Sequence, residues 1–217
     1  VTAPASGVYP GILLLHQEYG IDASIRLVAE YYAAMNYTVF VPDLFWRSMP
    51  GCELYCRNKT DITTSLKLMK KYNFEEGLSD VTKCLKWLRE TPQCNGLVTT
   101  IGYGIGGNLS YLSGLWLDIE SSVCYDFYQS DFFQGNDTFI RRPMLIHISR
   151  EINDKIKLNN KDKFIKDINN IDLVIYEDKK KNFFRKSDIN FDFHATLAAN
   201  KKTEEHILEC FKNPHST

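Results

Sequence analysis

An α/β fold on a parallel sheet is predicted by three features of the chain. Short apolar runs lack strand-like alternation, helical apolar spacing separates them, and a glycine-rich turn joins one run to a helix. The first run, residues 11–15 (Gly-Ile-Leu-Leu-Leu), is closed by polar residues, as a strand buried on both faces should be. Asp22 or Ser24 can cap the helix that follows, in which Ile25, Val28, Ala29 and Tyr32 recur at steps of three and four. A second strand over residues 37–41 stops at Pro42, and strand, helix, strand in that order implies parallel pairing through a right-handed crossover.

Residues 45–73 read as loop and then helix. Residues 74–89 read as a helix with Leu78, Val81, Leu85 and Leu88 on one face, ended by Pro92. A β-branched run over 97–101 leads at once into Gly102-Tyr-Gly-Ile-Gly106-Gly107 and a helix over 108–117. Further strands fit 122–125, 144–148 and 173–176, and a last helix fits 191–211. Neither a repeat nor a linker divides the chain, so one domain is expected over residues 1–217.

The 217 residues suffice for a continuous core without staples, and 44% hydrophobic with 24% charged residues is a soluble globular composition. A net charge of -1 provides no global field for nucleic acid or anionic lipid, and no apolar stretch is long enough to span a membrane. The opening Val1-Thr2-Ala3-Pro4 has no signal-peptide pattern; a cytoplasmic location is the expectation, with a trimmed targeting segment left open. The six cysteines, Cys52, Cys56, Cys84, Cys94, Cys124 and Cys210, read as reduced and largely buried; Cys52 and Cys56 are the pair that could oxidise or bind metal. No His pair follows them, so neither a metal site nor a cofactor is expected. Residues 155–186, rich in Lys, Asn, Asp and Ile, read as solvated helix and loop.

Gly102, Gly104 and Gly107 match a dinucleotide-binding pattern by letter, but they follow the third strand, whereas that fingerprint belongs at the first βα turn. The G-x-G-x-G form between strand and helix instead has the shape of a nucleophile elbow whose central residue, Gly104, has no reactive side chain.

Several ordered segments carry a family resemblance: Pro10-Gly-Ile-Leu-Leu-Leu-His-Gln-Glu-Tyr-Gly20, Ile25-Arg26, Val41-Pro-Asp-Leu-Phe-Trp-Arg47, Pro50-Gly51 and Ile101-Gly-Tyr-Gly-Ile-Gly-Gly-Asn108. Through them, and through residues 109–125, 143–149 and 191–211, the chain resembles the dienelactone hydrolase family. The resemblance implies an α/β-hydrolase fold, a mostly parallel sheet with helices on both faces, and a Cys, His, Asp triad assisted by a Glu near the first strand. At the implied positions stand Gly104 for the Cys, Ile152 for the Asp (or Asp154 after a two-residue slip) and Lys181 for the His. Gln17 stands for the Glu, with Glu18 beside it. Glycine cannot attack a carbonyl, isoleucine cannot orient an imidazole, and a lysine at its normal pKa cannot shuttle protons at neutral pH.

The expectation is therefore a catalytically degenerate member of the family that retains at most the binding of a small carboxylate or other anion. The Ile105 N–H at a helix N-terminus, Lys181 and Arg185 would hold it, the resemblance implying for Arg185 the place of an arginine that binds the substrate carboxylate. The substitutions would leave the pocket more positive by about three to four charges. Gln17, Glu18, Tyr19 and Gly104 complete the candidate ligand-binding set, and Phe45, Trp46 and Arg47 would line the family's pocket or serve as core aromatics. Lys181, in a Lys-rich run, and Arg185 also read as solvated residues. His16 is the histidine best placed for chemistry, His147 reads as an interior residue, and His206 and His215 read as solvent-facing. One alternative is a divergent ester or lactone hydrolase with a relocated nucleophile, Cys124, Tyr103 or Tyr19. The other is an interaction scaffold using residues 155–186. The oligomeric state is not legible.

Overall fold

The computed structural model describes residues 1–4, 6–127, 142–158 and 170–214. Six strands, β1 (Tyr9–Leu15), β2 (Thr38–Phe40), β3 (Cys94–Tyr103), β4 (Ser121–Tyr125), β5 (Met144–Ser149) and β6 (Ile171–Tyr176), form one sheet in the order β2-β1-β3-β4-β5-β6. Every pairing among them is parallel, with Leu14 opposite Ile101, Tyr103 opposite Tyr125 and Tyr125 opposite His147. The helices are α1 (Ala23–Ala34), α2 (Lys59–Lys71), α3 (Phe74–Glu90), α4 (Ile105–Trp116), α5 (Arg150–Leu158) and α6 (Phe193–Lys212).

Period-two alternation divides the buried strand residues between two layers. Leu13, Leu15, Val98, Cys124, Ile146 and Ile148 pack with α3, α4 and Ile152 of α5, while Ile12, Leu14, Ile101, Tyr103 and Tyr125 pack with α1 and α6. Helices on both faces explain why the strands read as continuous apolar runs. On the α1 and α6 side, Tyr103, Tyr125 and His147 stack across adjacent strands, with ring centroids 4.6 and 4.4 Å apart. His147 is held between the Tyr176 hydroxyl (2.9 Å) and Thr203 Oγ1 (3.0 Å), and burial pushes its pKa down to about 3.

Several boundaries differ from the sequence reading. Asp22 caps α1, its carboxylate accepting from the Ile25 N–H at 3.1 Å. Helix α4 begins at Ile105, not 108, because glycine at 106 lets the first turn approach β1; a Cβ there would collide with the Leu15 carbonyl. Helix α5 begins at Arg150, directly after β5 and ahead of the stretch from residue 155 that was read as solvated helix and loop. His206 is partly buried, with a pKa lowered to about 4, rather than solvent-facing, and His215 lies outside the described residues. All six cysteines are free, and all but Cys84 are buried. No helix among the described residues is long and apolar enough to cross a membrane.

Candidate functional site

The strand order reverses direction at β1 and β3, and in open α/β sheets the crevice at such a switch point, beyond the strands' carboxyl ends, collects functional groups. β1 delivers His16, Gln17 and Glu18 there, and β3 delivers Gly104. The loop after β1 turns back at Gly20, whose N–H donates to the Gln17 carbonyl at 3.2 Å. The buried His16 imidazole is a brace in this loop. Leu44 N–H donates to its Nε2 at 2.9 Å, which leaves the proton on Nδ1 to donate to the Gln17 carbonyl at 2.7 Å. Burial lowers its pKa to about 4, so the residue expected to be best placed for chemistry is a neutral structural histidine with both nitrogens engaged.

Gly104 joins β3 to α4 with φ 54° and ψ -114°, backbone angles that side chains rarely adopt, and its N–H donates to the Tyr125 carbonyl at 2.9 Å. A Cβ at this position would point at Glu18, 2.6 Å from Oε2, with the Gln17 Cβ at 3.4 Å. Glu18, not Gln17, is therefore the side chain that faces the turn. It is buried at 3% exposure, Oε1 accepts from Lys181 Nζ at 2.5 Å, and Oε2 has no hydrogen-bond partner. An ion pair between residues 163 positions apart thus lies over Gly104.

Lys181 sits in the loop after β6, where carboxylates fix the backbone. Glu151 Oε2 accepts from the Lys181 N–H at 3.2 Å, and Asp126 accepts from the N–H groups of Asn182 (3.0 Å) and Ser149 (2.7 Å). Asp126 is fully buried directly after β4 with φ 48°; burial pushes its carboxyl up, opposed by these hydrogen bonds. Sequence reasoning passed over Asp126 and Glu151, although a charged residue directly after a buried strand was a signal for the former. Ile152 is buried in the apolar layer, and Asp154 is exposed beside Arg150 at 3.6 Å, so the register slip does not bring it to Lys181.

Arg185, read as surface or as an anion ligand, is buried. It pairs with Asp22, donates from Nε to Ser187 Oγ at 2.9 Å and lies 4.3 Å from the Tyr19 ring centroid. Burial raises the Tyr19 phenol to about 12. Lys181 and Arg185 each face a carboxylate, so the expected positive surplus does not exist. Phe45 is buried against His16, with ring centroids 5.4 Å apart, but Trp46 and Arg47 lie at the surface on Asp80. Burial also holds the Cys124 thiol and the Tyr103 hydroxyl far above their ordinary pKa values. Among the described residues no group of three His, Cys, Asp or Glu side chains is placed to hold a metal ion.

A family model described as "Dienelactone hydrolase family" matches residues 1–214. The chain belongs to the dienelactone hydrolase family. It is similar to "Carboxymethylenebutenolidase 1" of Cupriavidus pinatubonensis (strain JMP 134 / LMG 1197), at 26% identity over 97% of this chain and 90% of that protein. A carboxymethylenebutenolidase of Pseudomonas sp. (strain P51) is 25% identical over 93% of this chain and 85% of its own. Among solved structures, an α/β hydrolase from Penicillium sp. sh18 superposes with a TM-score of 0.67 at 11% identity, covering 94% of this chain and 92% of that one. A dienelactone hydrolase-like promiscuous phosphotriesterase from metagenomic libraries gives 0.66 at 12% identity, with 94% and 88% covered. These structural likenesses establish the α/β-hydrolase fold of this dienelactone hydrolase family member.

Proposed function

We propose that this dienelactone hydrolase family member is catalytically degenerate, its nucleophile position being Gly104 and its histidine position Lys181. The observation that carries the reading is the Glu18–Lys181 ion pair over Gly104. A carboxylate and an ammonium fill the space in which a nucleophile and its base would stand. Neither partner offers a nucleophile poised beside a general base.

Binding of a small anion at the same place is part of the proposal, in a restricted form. The Ile105 N–H belongs to the first turn of α4, whose donors lack intrahelical partners, and Lys181 supplies charge. The Glu18 carboxylate already occupies Lys181, and Asp22 occupies Arg185, so an external carboxylate or phosphate must displace a resident one. Affinity is expected to be millimolar or weaker.

Hydrolysis of p-nitrophenyl acetate and of a simple lactone tests the reading. The expected rate is that of the uncatalysed reaction, for the unmodified chain and for Gly104→Cys alone. Turnover by the unmodified chain that one substitution at Tyr19, Tyr103 or Cys124 abolishes would establish a relocated nucleophile. Turnover by Gly104→Cys alone would mean that a working base and orienting group remain. The scaffold reading rests on residues 155–186, of which 159–169 lie outside the described residues, and no observation favours it.

A further inference from the structure

A second concavity lies between α1 and α6, on the face of the sheet that carries Tyr103. Its volume is about 330 Å³, at the small end of the range for small-molecule sites. It includes Gln17 and Arg185 but none of Glu18, Gly104, Ile105 and Lys181. Leu27 and Tyr31 of α1 and Phe193 and Leu197 of α6 form apolar walls, and all four are exposed. The Tyr31 hydroxyl donates to Glu204, tying α1 to α6. Four large apolar side chains left in water around one opening are an unusual cost for a surface.

Polar residues of the same cleft are incompletely satisfied. Gln17 Nε2, the Tyr32 hydroxyl and Arg185 Nη1 are buried without a hydrogen-bond partner, and all three residues line the cleft. Buried donors without acceptors are rare in folded proteins, and two of these atoms can only donate. A ligand that accepts could satisfy them from the cleft after a small shift of these side chains. The charge of Arg185 is already matched by Asp22, itself a lining residue of the cleft. The other cation of the lining, Lys186, is exposed and stays hydrated, so an ionised head group drawn in to the buried donors would be desolvated beside Asp22, whereas a neutral carbonyl would accept from those donors without bringing in a charge.

We infer that the cleft between α1 and α6 binds a neutral amphiphile, a short alkyl chain or ring bearing an amide, ester or ketone carbonyl, with the carbonyl end at Gln17 and the apolar body between Leu27, Phe193 and Leu197. The inference does not depend on the loss of catalysis, since the cleft shares neither Gly104 nor Lys181.

Titration of the purified chain with octanamide, followed by calorimetry at pH 8, tests it. Sub-millimolar binding is expected, with octanoate weaker by about fivefold or more because its carboxylate must be desolvated beside Asp22. Gln17→Met should weaken octanamide by about fivefold through loss of one hydrogen bond. Leu197→Glu, which changes an exposed side chain and so preserves the fold, should weaken it by about tenfold by placing a charge in the apolar wall. Failure of octanamide to bind below millimolar concentration, octanoate binding as tightly, or unchanged affinity in both variants would overturn the inference. So would sedimentation showing a dimer that Leu197→Glu splits, because the occupant of the patch would then be a second copy of the chain.

Discussion

Replacing Arg185 by Met removes one half of a buried ion pair, and its cost separates a structural arginine from one that waits for a ligand. The Arg185 and Asp22 side chains are 1% and 9% exposed, so solvent screens their attraction little. Removing one partner of such a pair costs about 3–5 kcal/mol, because the remaining charge stays desolvated. Loss of the contact with the Tyr19 ring adds to this, while removal of the unpartnered Nη1 offsets about 1–3 kcal/mol. A net loss of about 3 kcal/mol corresponds to a Tm lower by about 6–12 °C for a chain of this length. The cost depends on pH with a definite sign. Burial raises the Asp22 carboxyl and Arg185 opposes that shift, so without Arg185 the carboxyl rises further. A carboxyl raised above its unfolded value stabilises the fold at low pH and loses that contribution as pH rises through its folded value. The deficit of Arg185→Met should therefore be largest near pH 8 and shrink toward pH 5 in urea unfolding curves. In Asp22→Asn with Arg185→Met no charge is stranded and the N-cap is kept, so about 1–2 kcal/mol should return. A loss below about 1 kcal/mol at pH 8, an equal deficit at both pH values, or a double variant weaker than the single one would refute this reasoning.

Three further outcomes are expected. Gly106→Ala should prevent soluble folding or cost more than about 3 kcal/mol, because its Cβ meets the Leu15 carbonyl; Gly104→Ala should cost about 1–2 kcal/mol, because its Cβ meets only the flexible end of Glu18 and bears the left-handed penalty. Thermal melts of the two variants check the order. His16 and His147 have folded pKa values lowered to about 4 and about 3, so the stability they contribute is present above pH ~6.5 and lost as pH falls through those values. Urea unfolding should show declining stability from pH 6.5 to 4, and a flat profile there would contradict the buried neutral imidazoles. Glu18→Gln should remove a carboxylate that competes at Lys181 and tighten phosphate or acetate binding about tenfold over the unmodified chain, read by NMR titration; unchanged affinity would mean that Glu18 does not compete for that site.

The parallel sheet was legible because strands covered on both faces have to be apolar at nearly every position, as in Leu13, Leu14 and Leu15. The start of α1 was legible because a capping carboxylate acts within three residues of itself. The start of helix α5 was not, since Arg150, Glu151, Asp154, Lys155 and Lys157 are charged and the apolar residues of a segment this short span barely two turns. The resemblance puts Gln17 at the place of the family's Glu, with Glu18 beside it. The fold selects Glu18, because the chain reverses between Gln17 and Gly20 and sends the two side chains to different places. Glu18 goes over Gly104, and Gln17 goes to the cleft beside α1.

By itself the sequence determined the layer architecture, the family and the glycine at position 104 between a strand and a helix, all of which follow from local pattern. Tertiary structure alone decided what surrounds that glycine. Lys181 and Arg185 each meet a carboxylate 163 residues away, at Glu18 and Asp22. Such pairings are set by sheet order and loop closure and leave no trace in local composition. In water each of these four groups would be a solvated charge; brought together out of water they have to neutralise one another. A surplus of positive charge read from the sequence therefore becomes two closed ion pairs in the folded chain.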